Sequence, residues 1–200
     1  MLGNDVIDLA DPETWPGACH PRFEHRVFTP AERAAIAASP RPALTRWIHW
    51  AAKESAYKAA RRRAGDTVFA PRRFAVELAP GAGAVRHGAD RFRLRVRLLG
   101  DAVHAIAWEP TATGLLVADV ARVGAPATPA ALSGAARTLA VRAIAGALGL
   151  ADAHLAVARV AGDPPCLLRD GRPAHATLSL SHHGQLVAFA CLLAAPGPTR

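Results

Sequence analysis

A long helix over about residues 42–63, ending in the basic run Arg61-Arg62-Arg63, constrains this chain more than any other feature. Basic side chains suit a helix C-terminus, where the macrodipole is negative. Positions 47, 50, 54 and 58 are spaced by three, four and four, so Trp47, Trp50, Glu54 and Lys58 share one helical face. Lys53 points about a quarter-turn away from Glu54. Lys53 and Lys58 are the only two lysines of the chain, and arginine supplies the rest of its 24 basic residues. An exposed Glu–Lys pair at this spacing contributes only ~0.3–0.5 kcal/mol. Two tryptophans on the face of the carboxylate argue instead for a half-buried site.

The surroundings of this helix set the fold class. Val6, Ile7 and Leu9 around Asp5 and Asp8 predict a short first strand. Thr29-Pro30-Ala31-Glu32 combines an N-cap threonine, a first-turn proline and a capping-box glutamate, which predicts a helix over about 30–38. Phe74–Leu78, Arg91–Leu98, Ala102–Trp108 and Leu115–Ala121 read as strands between Gly- and Pro-containing turns. Residues 123–134, VGAPATPAALSG, have the composition of a linker. A second helix over Ala135–Leu148 follows, and two late strands, about 176–181 and 185–193, close the chain. Gly114-Leu115-Leu116-Val117-Ala118 and Gly184-Gln185-Leu186-Val187-Ala188 share G-x-L-V-A. The pattern predicts an α+β protein of two similar lobes, each a long helix packed on a small, mostly antiparallel sheet. The lobes are expected at residues 1–122 and 135–200, joined by the linker at 123–134.

A hydrophobic fraction of 51% and a charged fraction of 20% describe a globular chain. The net charge of +8 points to an anionic partner: a nucleic acid, a phosphorylated ligand or an acidic protein. Cys19, Cys166 and Cys191 are odd in number and lack C-x-x-C spacing, so they read as free thiols of a reducing compartment. The N-terminus carries early aspartates and no long apolar core, which argues against a signal peptide. No uncharged apolar run reaches the ~18 residues of a membrane span. A cytoplasmic monomer without membrane attachment is the expectation.

Two further stretches carry chemistry. In Gly3-Asn4-Asp5-Val6-Ile7-Asp8-Leu9, alternation places Asp5 and Ile7 on one strand face and Asp8 on the other. An aspartate inside a strand either caps its edge or has a specific partner. In Leu178-Ser179-Leu180-Ser181-His182-His183-Gly184, both serines lie on one face and His182 on the other. Hydroxyls, imidazoles and the nearby Arg172 suit phosphate binding. A Ser–His nucleophile pair is disfavoured, because adjacent strand residues point apart and no G-x-S-x-G elbow exists.

Taken together, these residues resemble the 4′-phosphopantetheinyl transferases. The resemblance rests on Asp5 in GNDVIDL, the run Arg26-Val27-Phe28-Thr29-Pro30-Ala31-Glu32, and Trp50-Ala51-Ala52-Lys53-Glu54-Ser55 with Lys58. The family's G-K-P and S-x-S-H-S elements have counterparts in Gly171-Arg172-Pro173 and Ser179-Leu180-Ser181-His182-His183. Residues 1–122 look like the C-terminal half of the larger, pseudo-dimeric transferases, and residues 131–193 look like their N-terminal half. The halves would stand in exchanged order, which a surface linker permits.

The resemblance implies transfer of 4′-phosphopantetheine from coenzyme A to a serine of an acyl or peptidyl carrier protein, with release of 3′,5′-ADP. It implies magnesium held by Asp5 and Glu54, with Glu54 and Lys58 as catalytic groups. Where the larger enzymes carry a third acid, this chain has Ile7, so a water is expected in its place. Coenzyme A would be held by Lys53, Lys58, Arg137, Arg142, Arg172, Ser181 and His182. An acidic carrier protein would dock on Arg22, Arg26 and Arg33, complementing the net charge. Two other readings are a basic nucleic-acid-binding module without catalysis and a catalytically weakened coenzyme A binder. The former is disfavoured by an aromatic fraction of 6% and the absence of a recognition motif.

Overall fold

The structure, a computed structural model, describes residues 1–79, 82–124, 127–159 and 163–194. Strand β1 (Leu2–Asp8) leads through α1 (Phe23–Val27) and α2 (Pro30–Ala38) to the long helix α3 (Pro42–Arg63). The expected capping box starts α2: Thr29 Oγ1 accepts from the Glu32 amide, and Glu32 Oε2 accepts from the Thr29 amide at 2.7 Å. Strands β2 (Phe74–Ala79), β3 (Ala82–His87), β4 (Asp90–Leu99) and β5 (Ala102–Trp108) then complete an antiparallel sheet of order β1-β5-β4-β3-β2. Helix α3 covers one face of this sheet. Its alanines at 51, 52, 56, 59 and 60 lie in one apolar cluster with Ile7, Phe74, Phe92, Val103 and Ala105. Small side chains let helix and sheet approach closely.

Strand β6 (Leu115–Arg122) leaves that sheet. β5 already has β1 and β4 on its two sides, so the next strand must pair elsewhere. It pairs with β11 (Leu186–Leu193), which pairs with β10 (Ala176–His183), giving the order β10-β11-β6. The two G-x-L-V-A strands are thus direct antiparallel neighbours, from Leu115↔Leu193 to Arg122↔Leu186. A division after residue 122 therefore does not separate the sheets, because β6 belongs with the late strands.

Helix α4 (Pro129–Leu148) packs on this second sheet, burying Ala140, Ile144 and Ala145 with Leu178, Phe189 and Cys191. It starts six residues before the expected Ala135, within the stretch read as linker. Thr128 caps it by accepting from the Ala131 amide, and Pro129 fills the first turn, the same signals that start α2. Composition outweighed those signals in the sequence reading. Ala125 and Pro126 of that stretch, and residues 195–200 of the second expected lobe, lie outside the described residues. A small third sheet joins β7 (Leu155–Ala158), β8 (Cys166–Arg169) and β9 (Arg172–Pro173).

The two larger sheets meet through β1. Leu2 and Ile106 cluster with Ala190, while Val6 and Ala102 cluster with Leu186 and Ala188. The protein is α+β with antiparallel sheets, each of the two larger ones carrying one long helix. Cys19, Cys166 and Cys191 are free thiols. Among the described residues no helix is long and apolar enough to cross a membrane.

Candidate functional site

The site begins where β1 lies against α3. A side chain at Gly3 would come within 2.2 Å of the Ser55 carbonyl oxygen and 2.8 Å of Lys58 Cβ, so only glycine permits this approach. Two residues on, Asp5 Oδ1 accepts from Lys58 Nζ at 2.7 Å. The same ammonium donates to the Asn4 carbonyl at 3.0 Å. Glu54 stands one turn before Lys58, half-buried, and has no hydrogen-bond partner among the described residues. Burial pushes its carboxyl up to about 7, with the negative charge of Asp5 adding to the rise and Lys58 opposing it. Two neighbouring carboxylates, one unpaired and reluctant to ionise, are a ready seat for a cation or a proton. No cluster of three or more metal-ligating side chains occurs among the described residues.

The second side of the site is β10, an edge strand of its sheet. Ser179 Oγ accepts from the Asn4 amide at 3.0 Å, and Ser181 Oγ accepts from Asn4 Nδ2 at 2.9 Å. Both serines therefore face β1, as alternation predicts. His182 is exposed, and its pKa is lowered by partial burial first and by the positive charge of Lys58 second, while Asp5 opposes the shift. Lys58 and Asp5 thus lie within Coulombic reach of His182. The chemistry-bearing residues of the early and late segments thus lie near one another where α3 and β1 meet β10.

The turn after β10 is anchored by Asp8, on the opposite face of β1 from Asp5. Asp8 binds Arg122 through both oxygens, at 3.0 and 3.2 Å, and accepts from the Gln185 amide at 3.2 Å. Burial alone would raise the Asp8 carboxyl, but the Arg122 bonds and the Gln185 and Ala10 amides outweigh it and hold the pKa below the usual value. His183 Nδ1 accepts from the Asp8 amide at 3.1 Å. Gly184 occupies the left-handed region at φ 54° with Asp8 against it, and a side chain there would come within 2.9 Å of Asp8 Oδ2.

Other expected site residues lie elsewhere. Lys53 is a correction: it is fully buried, pairs with Glu32 Oε1 at 2.8 Å, and donates to the carbonyls of Pro71 and Phe74 at 3.0 and 2.6 Å. An ammonium enclosed by three oxygens inside the core has no face left for a ligand. Glu32 also accepts from the Val76 amide at 2.8 Å, so the Arg26–Glu32 run ends in a buried hub joining α2, α3 and β2. Trp47 packs against Phe23, while Trp50 packs against Phe23 and Phe69. Ile7 is 2% exposed within the apolar cluster under α3, so its place suits packing and not a third ligand.

Among the described residues no hydrogen bond or ion pair joins Arg137, Arg142 or Arg172 to Ser181 or His182. Arg137 donates to Ser133 at 3.0 Å, Arg142 lies 3.8 Å from Asp152, and Arg172 is exposed on β9. Arg22 and Arg26 are exposed on and beside α1, whereas Arg33 donates to the Phe28 carbonyl at 3.1 Å. Sequence reasoning missed Arg62. Its guanidinium donates to the Leu178 carbonyl on the free edge of β10, and burial draws its pKa down to about 10. Its position, four residues after Lys58 on the same face, was the available signal. Asn4 and His104 were also missed, since neither residue type announces a buried polar contact.

The family model of the 4′-phosphopantetheinyl transferase superfamily (ACPS) matches residues 1–107. That span includes Asp5, Glu54 and Lys58. Among solved structures, the holo-[acyl-carrier-protein] synthase of Thermotoga maritima is similar at 14% identity. The similarity has a TM-score of 0.43 and covers 62% of this chain and 77% of that one. No curated protein matches the chain.

Proposed function

Because the chain belongs to the 4′-phosphopantetheinyl transferase superfamily, we propose that it moves 4′-phosphopantetheine from coenzyme A to a serine of an apo acyl or peptidyl carrier protein. The observation that carries this reading is the grouping of Asp5, Glu54 and Lys58 where β1 lies against α3. The bond broken is the pyrophosphate P–O bond of coenzyme A, and the bond formed joins the phosphopantetheine phosphorus to the serine oxygen. The leaving group is 3′,5′-ADP.

Asp5 and Glu54 fit a hard divalent cation. Magnesium takes few protein carboxylates and completes its shell with phosphate oxygens and water. When bound, it would neutralise pyrophosphate charge. Glu54 is assigned to accept the serine proton. Lys58 offers a compact ammonium to the charge that develops on the phosphoryl oxygens. His182 and the exposed Arg172 are assigned to the nucleotide end, with Arg137 and Arg142 of α4 as outer contributors. Ser181, already accepting from Asn4, retains its own proton to donate.

The pseudo-dimeric reading draws support from one helix packed on one sheet in each half, and it makes a cytoplasmic monomer the natural assembly. Carrier proteins of acidic character would approach through Arg22 and Arg26, with Arg33 holding the chain between α1 and α2. The test is incubation with coenzyme A, magnesium and a panel of apo carrier proteins, followed by intact-mass spectrometry. A phosphopantetheine mass increase on a carrier is expected. No increase across the panel, with tight RNA binding instead, would replace this reading with the nucleic-acid-binding one.

A further inference from the structure

Asn4 occupies an unusual position between the two halves of the site. It is fully buried, and its polar groups reach three elements: β10, α3 and β5. Its amide bonds to Ser179 and its side chain to Ser181, both on β10. Its carbonyl accepts from Lys58 on α3. Its Nδ2 also lies 3.2 Å from Nε2 of His104 on β5, a second fully buried residue. Asp5, the next residue, faces α3.

Asn4 Oδ1 and His104 Nδ1 are buried without a partner among the described residues. If Nδ2 donates to Ser181 and to His104, then His104 carries its proton on Nδ1. One acceptor (Oδ1) and one donor (Nδ1–H) are left over. If the amide is turned, Oδ1 accepts from both neighbours, and one donor (Nδ2) and one acceptor (Nδ1) remain. Either orientation leaves one polar group of each residue unpaired, and Nδ1 lies on the far side of the His104 ring from the Asn4 contact. Burial first, and then the positive charges of Arg97 and Lys58, push the His104 pKa down to about 3, so the cluster stays neutral at working pH.

We propose that Asn4, closed by His104, is the positioning residue of the site. Its side chain ties β1 to Ser181 of β10 directly beside Asp5 and Lys58. The proposal rests on the transferase reading above for its functional consequence. It assigns Asn4 no contact with substrate. The bonds to Ser179 and Ser181 then hold the two larger sheets in register at the point where the reacting groups must meet. A misplacement of about 1 Å there is enough to slow a reaction ~10²-fold.

The test compares Asn4→Ala, Ser181→Ala, their double variant, His104→Leu and His104→Gln with the wild-type chain. Two readouts are independent of each other: hydrogen exchange of residues 1–8 and 176–183, and transfer kinetics across a magnesium series. Asn4→Ala should loosen both strands together, lower kcat about tenfold or more, and leave the carrier KM unchanged. In hydrogen exchange the double variant should be no looser than Asn4→Ala, because both remove the same bond. His104→Gln, which can still donate and accept, should keep most of the rate that His104→Leu loses. Should Asn4→Ala not fold, Ser181→Ala and the His104 pair carry the same comparison. Unchanged exchange of residues 176–183 in Asn4→Ala overturns the interlock, as does rate loss that merely tracks the unfolded fraction. A wild-type chain that transfers nothing sinks the transferase reading, and the exchange experiment still decides the interlock.

Discussion

Lys53 and Lys58 differ by five positions in one helix, and the fold gives them opposite work. Lys53 is sealed in the core against Glu32, where a pair of charges is held by mutual attraction and two backbone carbonyls. Lys58 keeps a side chain 30% exposed at the cleft, beside Asp5. Removing one partner of a buried pair strands the other, at a cost of about 3–5 kcal/mol. Lys53→Ala should therefore lower the urea midpoint sharply. Lys58→Ala should leave the midpoint near wild type but reduce kcat by ~10²-fold or more, the scale of losing one charge-stabilising donor. Urea titration and single-turnover transfer on both variants check the assignment. Equal stability losses would mean that Lys58 is structural as well. The retention of lysine at 53 also acquires a physical reason, since a compact ammonium fits among three converging oxygens where a guanidinium fork is wider.

At the scale of elements, the pairing of β1 with α3 sets the site, and Gly3 sets that pairing. Gly3→Ala would drive a methyl into the Ser55 carbonyl and the Ala59 amide, at 2.2 and 2.7 Å. Backbone cannot yield as a flexible side chain can, so β1 must shift away from the helix. The expected result is a loss of stability of about 1–3 kcal/mol together with a raised magnesium requirement, because Asp5 moves with its strand. Circular dichroism melts and rate against magnesium concentration test this, and wild-type values in both would show that the approach is looser than described. Much of this element was legible beforehand. The capping box at Thr29, the extent of α3 and the faces of β1 and β10 follow from local rules that the fold obeys. The Ala82–His87 strand carried little signal, because AGAVRH offers no bulky alternation and a single β-branched residue, Val85, and its pairing with β2 and β4 supplies what its sequence lacks. The exchange of β6 into the second sheet was likewise invisible. Strand propensity says that a segment is extended, and only the occupancy of both sides of β5 says with whom it pairs. For the candidate site, the residue types with scarce chemistry, Asp5, Glu54, Lys58 and His182, are the ones that local pattern singles out. Asn4, Arg62 and His104 act through partners far along the chain, and no local pattern marks them.

Over the whole molecule, the buried ionisable groups pull stability against pH in two directions, and the site carboxylate opposes the histidines. His104 and His49 are buried, and burial lowers both pKa values, to about 3 for His104. A depressed histidine binds its proton more tightly when unfolded, so stability falls as the pH drops below ~6.5. Asp8 is also held below its ordinary value, which adds a further loss below about pH 4. Glu54 works the other way. Its folded carboxyl titrates at about 7 against 4.5 when unconstrained, so the folded state binds the extra proton. Its contribution is fully present below 4.5 and is lost as the pH rises through 7. Between about 4.5 and 6.5, Glu54 gains on acidification and offsets part of what the two histidines lose. Measured in a chelator, the wild-type urea midpoint should therefore decline gently across that window and fall more steeply below it. Glu54→Gln removes the opposing group, so its midpoint should be higher than wild type above pH 7 and should decline from about pH 6.5 downward. The same variant should cut transfer by ~10²-fold or more, as expected for loss of a general base. A Glu54→Gln curve parallel to wild type at every pH would mean that Glu54 titrates as an ordinary surface carboxylate, and the half-buried acid at the centre of the cleft would have to be reassigned.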